Sequence, residues 1–147
     1  MITQKRAFRD DYERPEHRSR EQEAIKEVIK KTDLVAHKLP KRDCLDFVLT
    51  RDDEIVCFAE VRSRSIPSTK YSEFYLPLKK FEVMRGHYAN AGKQTALIYV
   101  FTDGILRTWM GKDPIDRVLF WGDSRNDELH DREPVVALGI GLFERIG

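Results

Sequence analysis

Apolar and polar positions alternate with two different periods along this chain, and the switches between them divide it into elements. Ala24, Ile25, Val28 and Ile29 recur at helical spacing. Ser19, with Gln22 three residues later, has the form of a capping box and predicts a helix starting there. Residues 1–18 are polar, mixed in charge and interrupted by Pro15, which predicts a mobile arm ahead of one domain over residues 19–147. Leu34–Leu39 reads as a short strand closed by Pro40. Two apolar arms, Leu45–Leu49 and Ile55–Val61, flank polar Arg51-Asp52-Asp53 and predict a hairpin. Ser63–Glu73, with Pro67, reads as a loop. A second helix is predicted from Pro77, which suits a first helical position, through Phe81, Met84 and Tyr88 to a cap at Gly92. Gly86 inside it costs about 1 kcal/mol relative to alanine, which points to close packing at that position. Thr95–Phe101 is too continuously apolar for a half-exposed edge strand, and Asp103-Gly104 turns it into a second hairpin with Ile105–Trp109. Arg117–Trp121 and Pro134–Leu138 are predicted as short strands on either side of a polar loop, residues 122–133.

The first hairpin carries the chemistry. With its turn centred near Asp53, Asp46 lies opposite Glu60, Val48 opposite Phe58 and Thr50 opposite Val56. Directly opposed residues share a face, so Asp46 and Glu60 stand side by side among apolar neighbours, with Arg62 emerging two residues on. Two adjacent carboxylates repel unless protonated or bridged by a cation, and a hard divalent ion with oxygen ligands is the natural bridge. An acid entering a strand also serves simply as a turn cap, and the hairpin alone leaves that alternative open. On the first helix, at 100° per residue, Glu21 falls near the middle of the apolar stripe, whereas Glu23 and Glu27 fall outside it. Glu21 is either a first-turn acid favoured by the helix dipole or a functional group aimed at the core face.

Composition bounds these readings without choosing among them. The 147 residues suit a single domain, and 35% charged with 41% hydrophobic residues suits a globular protein with a wet surface. No apolar run approaches the roughly 18 residues that span a bilayer, and the opening residues lack the apolar core of a secretion signal. No membrane role and a cytoplasmic location, in a bacterium or in a host cell for a viral gene, are therefore expected. Cys44 and Cys57 do not face each other in the hairpin register and are expected to be small buried hydrophobes. His17, His37, His87 and His130 have no zinc-site spacing. The formal charge of +1 is uninformative, but Arg62, Arg64, Lys70, Lys79, Lys80 and Arg85 outnumber Glu73 and Glu82 in the segment after the hairpin. That segment is either a solvated charged face or a set of phosphate contacts, with Arg64, Lys70, Tyr71, Lys79 and Arg85 as the candidate nucleic-acid-binding residues.

An acid at the start of one strand followed by Glu-x-Lys at the end of the next resembles the PD-(D/E)XK nuclease superfamily; here the matching residues are Asp46 and Glu60-Val61-Arg62. Glu-Val-Arg-Ser-Arg, Tyr71, Tyr75, Lys80 and the tail Trp121-Gly-Asp-Ser-Arg-Asn-Asp with Glu133-Pro-Val-Val resemble small phage and prophage members, with a likeness to Holliday junction resolvases. The resemblance implies an α/β fold with a restriction-endonuclease-like αβββαβ core, a mixed central sheet flanked by helices and an extra C-terminal β hairpin region. It implies Mg²⁺ or Mn²⁺ held by Asp46, Glu60, the Val61 carbonyl and Glu21, with Glu23 a weaker match than Glu21. The reaction it implies is hydrolysis of DNA, including branched or recombination intermediates, with Asp46, Glu60, Arg62 and Lys80 as catalytic residues and a homodimer as a further expectation. The chain departs from the family pattern in carrying Arg62 where lysine is usual. Arginine offers a fork to phosphate but is a poor proton acceptor, so Lys80 on the second helix is the substitute cation. The alternative is an inactive descendant that binds nucleic acid or serves in an assembly.

Overall fold

A computed structural model describes residues 15–112, 118–121 and 133–147. Helix α1 (Pro15–Ile29) leads into β1 (Val35–Lys38), β2 (Phe47–Arg51) and β3 (Glu54–Ser63). After β4 (Glu73–Pro77) come helix α2 (Leu78–Ala91), β5 (Thr95–Phe101), β6 (Gly104–Met110), β7 (Val118–Trp121), β8 (Glu133–Gly139), a 3-10 turn and the two-residue β9 (Glu144–Arg145). The expected αβββαβ succession is therefore present, with one strand inserted ahead of α2.

Six strands form the main sheet in the order β1-β2-β3-β5-β6-β9, and the β3–β5 pair is parallel while its other pairs are antiparallel. Apolar β5 lies inside this sheet, as its composition demands. Helix α1 covers one face, placing Ala24 and Ile25 against Phe47, Leu49, Cys57, Ala59, Val61 and Ile98. The opposite face, with Leu97, Tyr99 and Leu106, packs against Phe81 and Met84 of α2 and against a second sheet, β4-β8-β7. Leu76 and Val136 supply that second sheet's buried side.

Several sequence expectations are corrected. The helix begins at Pro15, not at Ser19, because proline is compatible with a first helical turn and so opens α1 instead of breaking it. The proposed arm is thus helical from Pro15 onward, and residues 1–14 lie outside the described residues. Glu73–Pro77 is a strand that ends at the proline, and Pro77 caps α2 without entering it. Gly92 is left-handed at the C-terminal cap, as expected, with φ of 67°. Gly86, in contrast, meets nothing among the described residues: a methyl group there would have no atom outside its own helix backbone within 4 Å, so close packing against them does not explain it. The polar loop at residues 122–132 lies outside the described residues, which removes most of the tail motif from view.

The hairpin register differs near its turn in a way that matters for the site. Asp52 and Asp53 both have positive φ, 51° and 66°, the geometry of a two-residue hairpin turn, and Arg51 pairs with Glu54. Thr50 consequently faces Ile55, not Val56. A bulge follows, leaving Val56 as the extra residue, and beyond it Leu49 pairs with Cys57, Val48 with Phe58 and Phe47 with Ala59. Without that extra residue the turn's register would continue and Phe47 would face Phe58. The bulge shifts the pairing by one, so that Asp46, just before β2, comes level with Glu60.

Candidate active site

Glu60 is 3% exposed, although it is a carboxylate on the same sheet face as Leu97 and Tyr99. Burial, reinforced by the neighbouring charge of Asp46, pushes its carboxyl up from the ordinary range to about 7, against the pull of Lys80 and Arg62. Its Oε2 is held by Lys80 Nζ at 2.8 Å and by Arg62 Nη1 at 3.5 Å. Its Oε1 is buried and accepts no hydrogen bond among the described residues.

Asp46 is positioned differently. It lies just beyond the end of β2, where the Val61 N–H has no strand partner on that side, and Asp46 Oδ2 accepts that N–H at 2.8 Å. The Asp46 carbonyl accepts the Leu39 N–H at 2.8 Å, which ties the segment entering β2 to the end of β1. Asp46 Oδ1 faces Lys38 Nζ at 3.6 Å, and the same ammonium lies 3.6 Å from Glu21 Oε2. One lysine therefore links the first helix to the acid pair. Glu21 is mostly covered, while Glu23 pairs with Lys26 on the solvent side of α1 at 3.8 Å.

Lys80 reaches in from the first turn of α2. Besides Glu60 it donates to the Cys44 carbonyl at 2.6 Å. An ammonium has three protons, so these two contacts leave one for a water or a phosphate oxygen. Lys38 was not legible as a site residue, because its neighbour Asp46 is found only through the β1–β2 pairing, in which Lys38 faces Phe47. Its ammonium also lies 5.0 Å from the centre of the Phe47 ring.

The remaining candidates divide. Arg62, Arg64 and Tyr71 line a cleft of about 590 Å³ between the two sheets. Lys70 stands over the Tyr71 ring at 5.7 Å, outside the cleft wall. Lys79 and Arg85 are exposed on α2 and line neither the acid pair nor the cleft. Cys57 is buried and Cys44 half-buried, neither in a disulfide, and burial raises both thiols above their usual range.

Among the described residues no three His, Cys, Asp or Glu side chains cluster as a ready-made metal centre. A magnesium-type ion does not require one: it commonly takes one or two protein carboxylates and fills its octahedron with water and substrate phosphate. The unsatisfied Glu60 Oε1 beside Asp46 is a donor pair of that kind.

The sequence profile of a family described as "Phage putative PDDEXK endonuclease" matches residues 7–146. No curated protein matches the chain by sequence. Among solved structures, Hjc of Archaeoglobus fulgidus, a Holliday junction resolvase from an archaeal hyperthermophile, superposes with a TM-score of 0.54 over 87% of this chain and 90% of that one, at 11% identity. At that identity the likeness is one of fold.

Proposed function

The chain belongs to this phage PDDEXK endonuclease family, and from that premise we propose that it is a divalent-metal-dependent nuclease hydrolysing phosphodiester bonds in DNA. The observation that carries the reading is Glu60: a buried carboxylate with one oxygen unsatisfied among the described residues, beside a second acid and under a lysine.

Asp46 and Glu60 would hold Mg²⁺ or Mn²⁺, with the Val61 carbonyl as a further oxygen and Glu21 acting directly or through water. The bound ion supplies a polarised phosphoryl oxygen and a water of lowered pKa. Asp46 is fixed for this task by the Val61 N–H, which keeps its carboxylate at the mouth of the strand pair. Lys80 points its remaining proton toward the same space and there orients a water or meets phosphate charge. Arg62 places positive charge beside the phosphate as it gains charge in the transition state but, as a guanidinium, is no general base. The usual motif lysine is thus replaced by two cations on different elements, one on β3 and one on α2.

A second reading, a nuclease fold that binds DNA without cutting it, is favoured by one observation: Lys38 sits between Glu21 and Asp46 and offsets part of their charge without an ion. Supercoiled plasmid, single-stranded and branched DNA incubated with Mg²⁺ or Mn²⁺ separate the two. Cleavage that disappears in Asp46→Asn and Glu60→Gln is expected. DNA binding with no cleavage of any substrate and no Mn²⁺ binding would overturn the enzyme reading.

A further inference from the structure

Asp46, Glu60 and Lys80 are indifferent to the shape of the DNA that carries a phosphodiester; the cleft beside them is not. Resting on the nuclease reading, we propose that this cleft receives an unpaired, unstacked nucleobase next to the phosphodiester held at the acid pair, which makes DNA bearing an unpaired nucleotide the substrate class.

Continuity is the first argument. Arg62 belongs to both places: it contacts Glu60 Oε2 at 3.5 Å, and it lines the cleft. A strand whose phosphate lies at Glu60 and Arg62 therefore has its neighbouring nucleoside at the cleft mouth. The cleft's volume, about 590 Å³, is within the range of sites that enclose small planar ligands.

The walls supply the second argument. Tyr71, Tyr75 and Tyr99 line the cleft, and the Tyr71 ring is 56% exposed, with Lys70 5.7 Å from its centre. Aromatic rings stack on any base face. Tyr99 faces Arg62 across the β3–β5 pair. Among the described residues its buried hydroxyl, beside the Arg62 guanidinium, has no partner of ordinary hydrogen-bond geometry, and Arg62 Nε is likewise buried without one. A base edge offers both donors and acceptors to such groups.

Charge distinguishes a base from a second phosphate. Glu73 and Glu133 also line the cleft and match the charges of Arg62 and Arg64 there, so it carries no excess positive charge for a second phosphate. Carboxylates repel phosphate but accept from the exocyclic amino groups of bases. A base stacked in an intact duplex cannot enter a recess between two sheets, so the occupant must be extruded or already unpaired.

The test uses two duplexes of one sequence, each carrying 2-aminopurine, paired in one and bulged out in the other, with Ca²⁺ replacing Mg²⁺ so that binding is read without cleavage. The wild-type chain is expected to bind the bulged duplex about tenfold more tightly and to quench its 2-aminopurine emission. Tyr71→Ala should abolish most of that preference by weakening the bulged duplex far more than the paired one. Tyr99→Phe, which removes a single oxygen and keeps the ring packed, should reduce the preference several-fold. Equal affinity for the two duplexes, or a preference that neither variant changes, would overturn the proposal. The two readings fail separately. Selective, tyrosine-dependent binding without cleavage in Mg²⁺ removes the nuclease and leaves the base site, whereas cleavage of paired and bulged DNA at equal rates removes the base site and leaves the nuclease.

Discussion

Lys80 Nζ stands 2.8 Å from Glu60 Oε2, and this single contact joins the second helix to the acidic end of β3. Because Glu60 is buried, the pair is screened less than a surface ion pair. Lys80→Ala is expected to lower single-turnover cleavage by about 10²–10³-fold, the usual effect of removing one donor from a developing anion. Its effect on Mn²⁺ affinity should be much smaller. Comparable losses in both measurements would show that Lys80 merely shapes the metal site.

Arg62, which the family resemblance sets at the motif's lysine, contacts Glu60 at a longer 3.5 Å. Arg62→Ala should therefore lower the cleavage rate more than metal affinity, while Arg62→Lys should retain or raise activity by restoring a compact ammonium. Cleavage by Arg62→Lys alone, with an inert wild type, would identify a silenced nuclease.

The Glu60 carboxyl has a sign that can be measured. Its folded pKa, about 7, lies above the ordinary 4.5, so the folded chain holds a proton that the unfolded chain has lost between those values. Glu60's contribution to metal-free stability should be full below pH 4.5 and lost as pH rises through 7, about 3 kcal/mol in all. Urea titrations across this window should show that slope in the wild type and a flatter one in Glu60→Gln. Mn²⁺, which competes with the proton, should bind more tightly as pH rises through the same range.

Gly86 offers a test of the helix alone. It lies within α2, and a methyl group there meets no atom of the described residues outside its own helix backbone within 4 Å. Gly86→Ala should stabilise the fold by about 1 kcal/mol, with cleavage unchanged. Destabilisation would mean that the position is crowded after all.

What the sequence disclosed and what it hid follow from the range of the interactions. Period-two alternation and the Asp-Asp turn placed the hairpin, and the 100° helical rotation separated Glu21 from Glu23, because both are properties of neighbouring residues. The acid pair was legible only because the Val56 bulge cancels the half-residue difference between the assumed and the actual turn centre. β4 escaped because a five-residue segment ending in proline looks like a loop until β8, far along the chain, pairs with it. Lys38 escaped for the same reason, since its role exists only after β1 lies against β2.

Lys38 carries the last prediction. It lies 3.6 Å from both Glu21 and Asp46, so one positive charge stands between two acids that the family resemblance assigns to a metal. A divalent ion entering there must displace that ammonium. Lys38→Met, on an edge strand, should therefore raise Mn²⁺ affinity several-fold with little change in stability. Glu21→Gln should lower it about tenfold, as the loss of a supporting carboxylate does at metal sites. Calorimetric titration with Mn²⁺ alone reads both, without any cleavage assay. If Lys38→Met weakens binding, the lysine orients the acids instead of competing for them; if neither variant changes it, Glu21 stands outside the metal site and serves only α1.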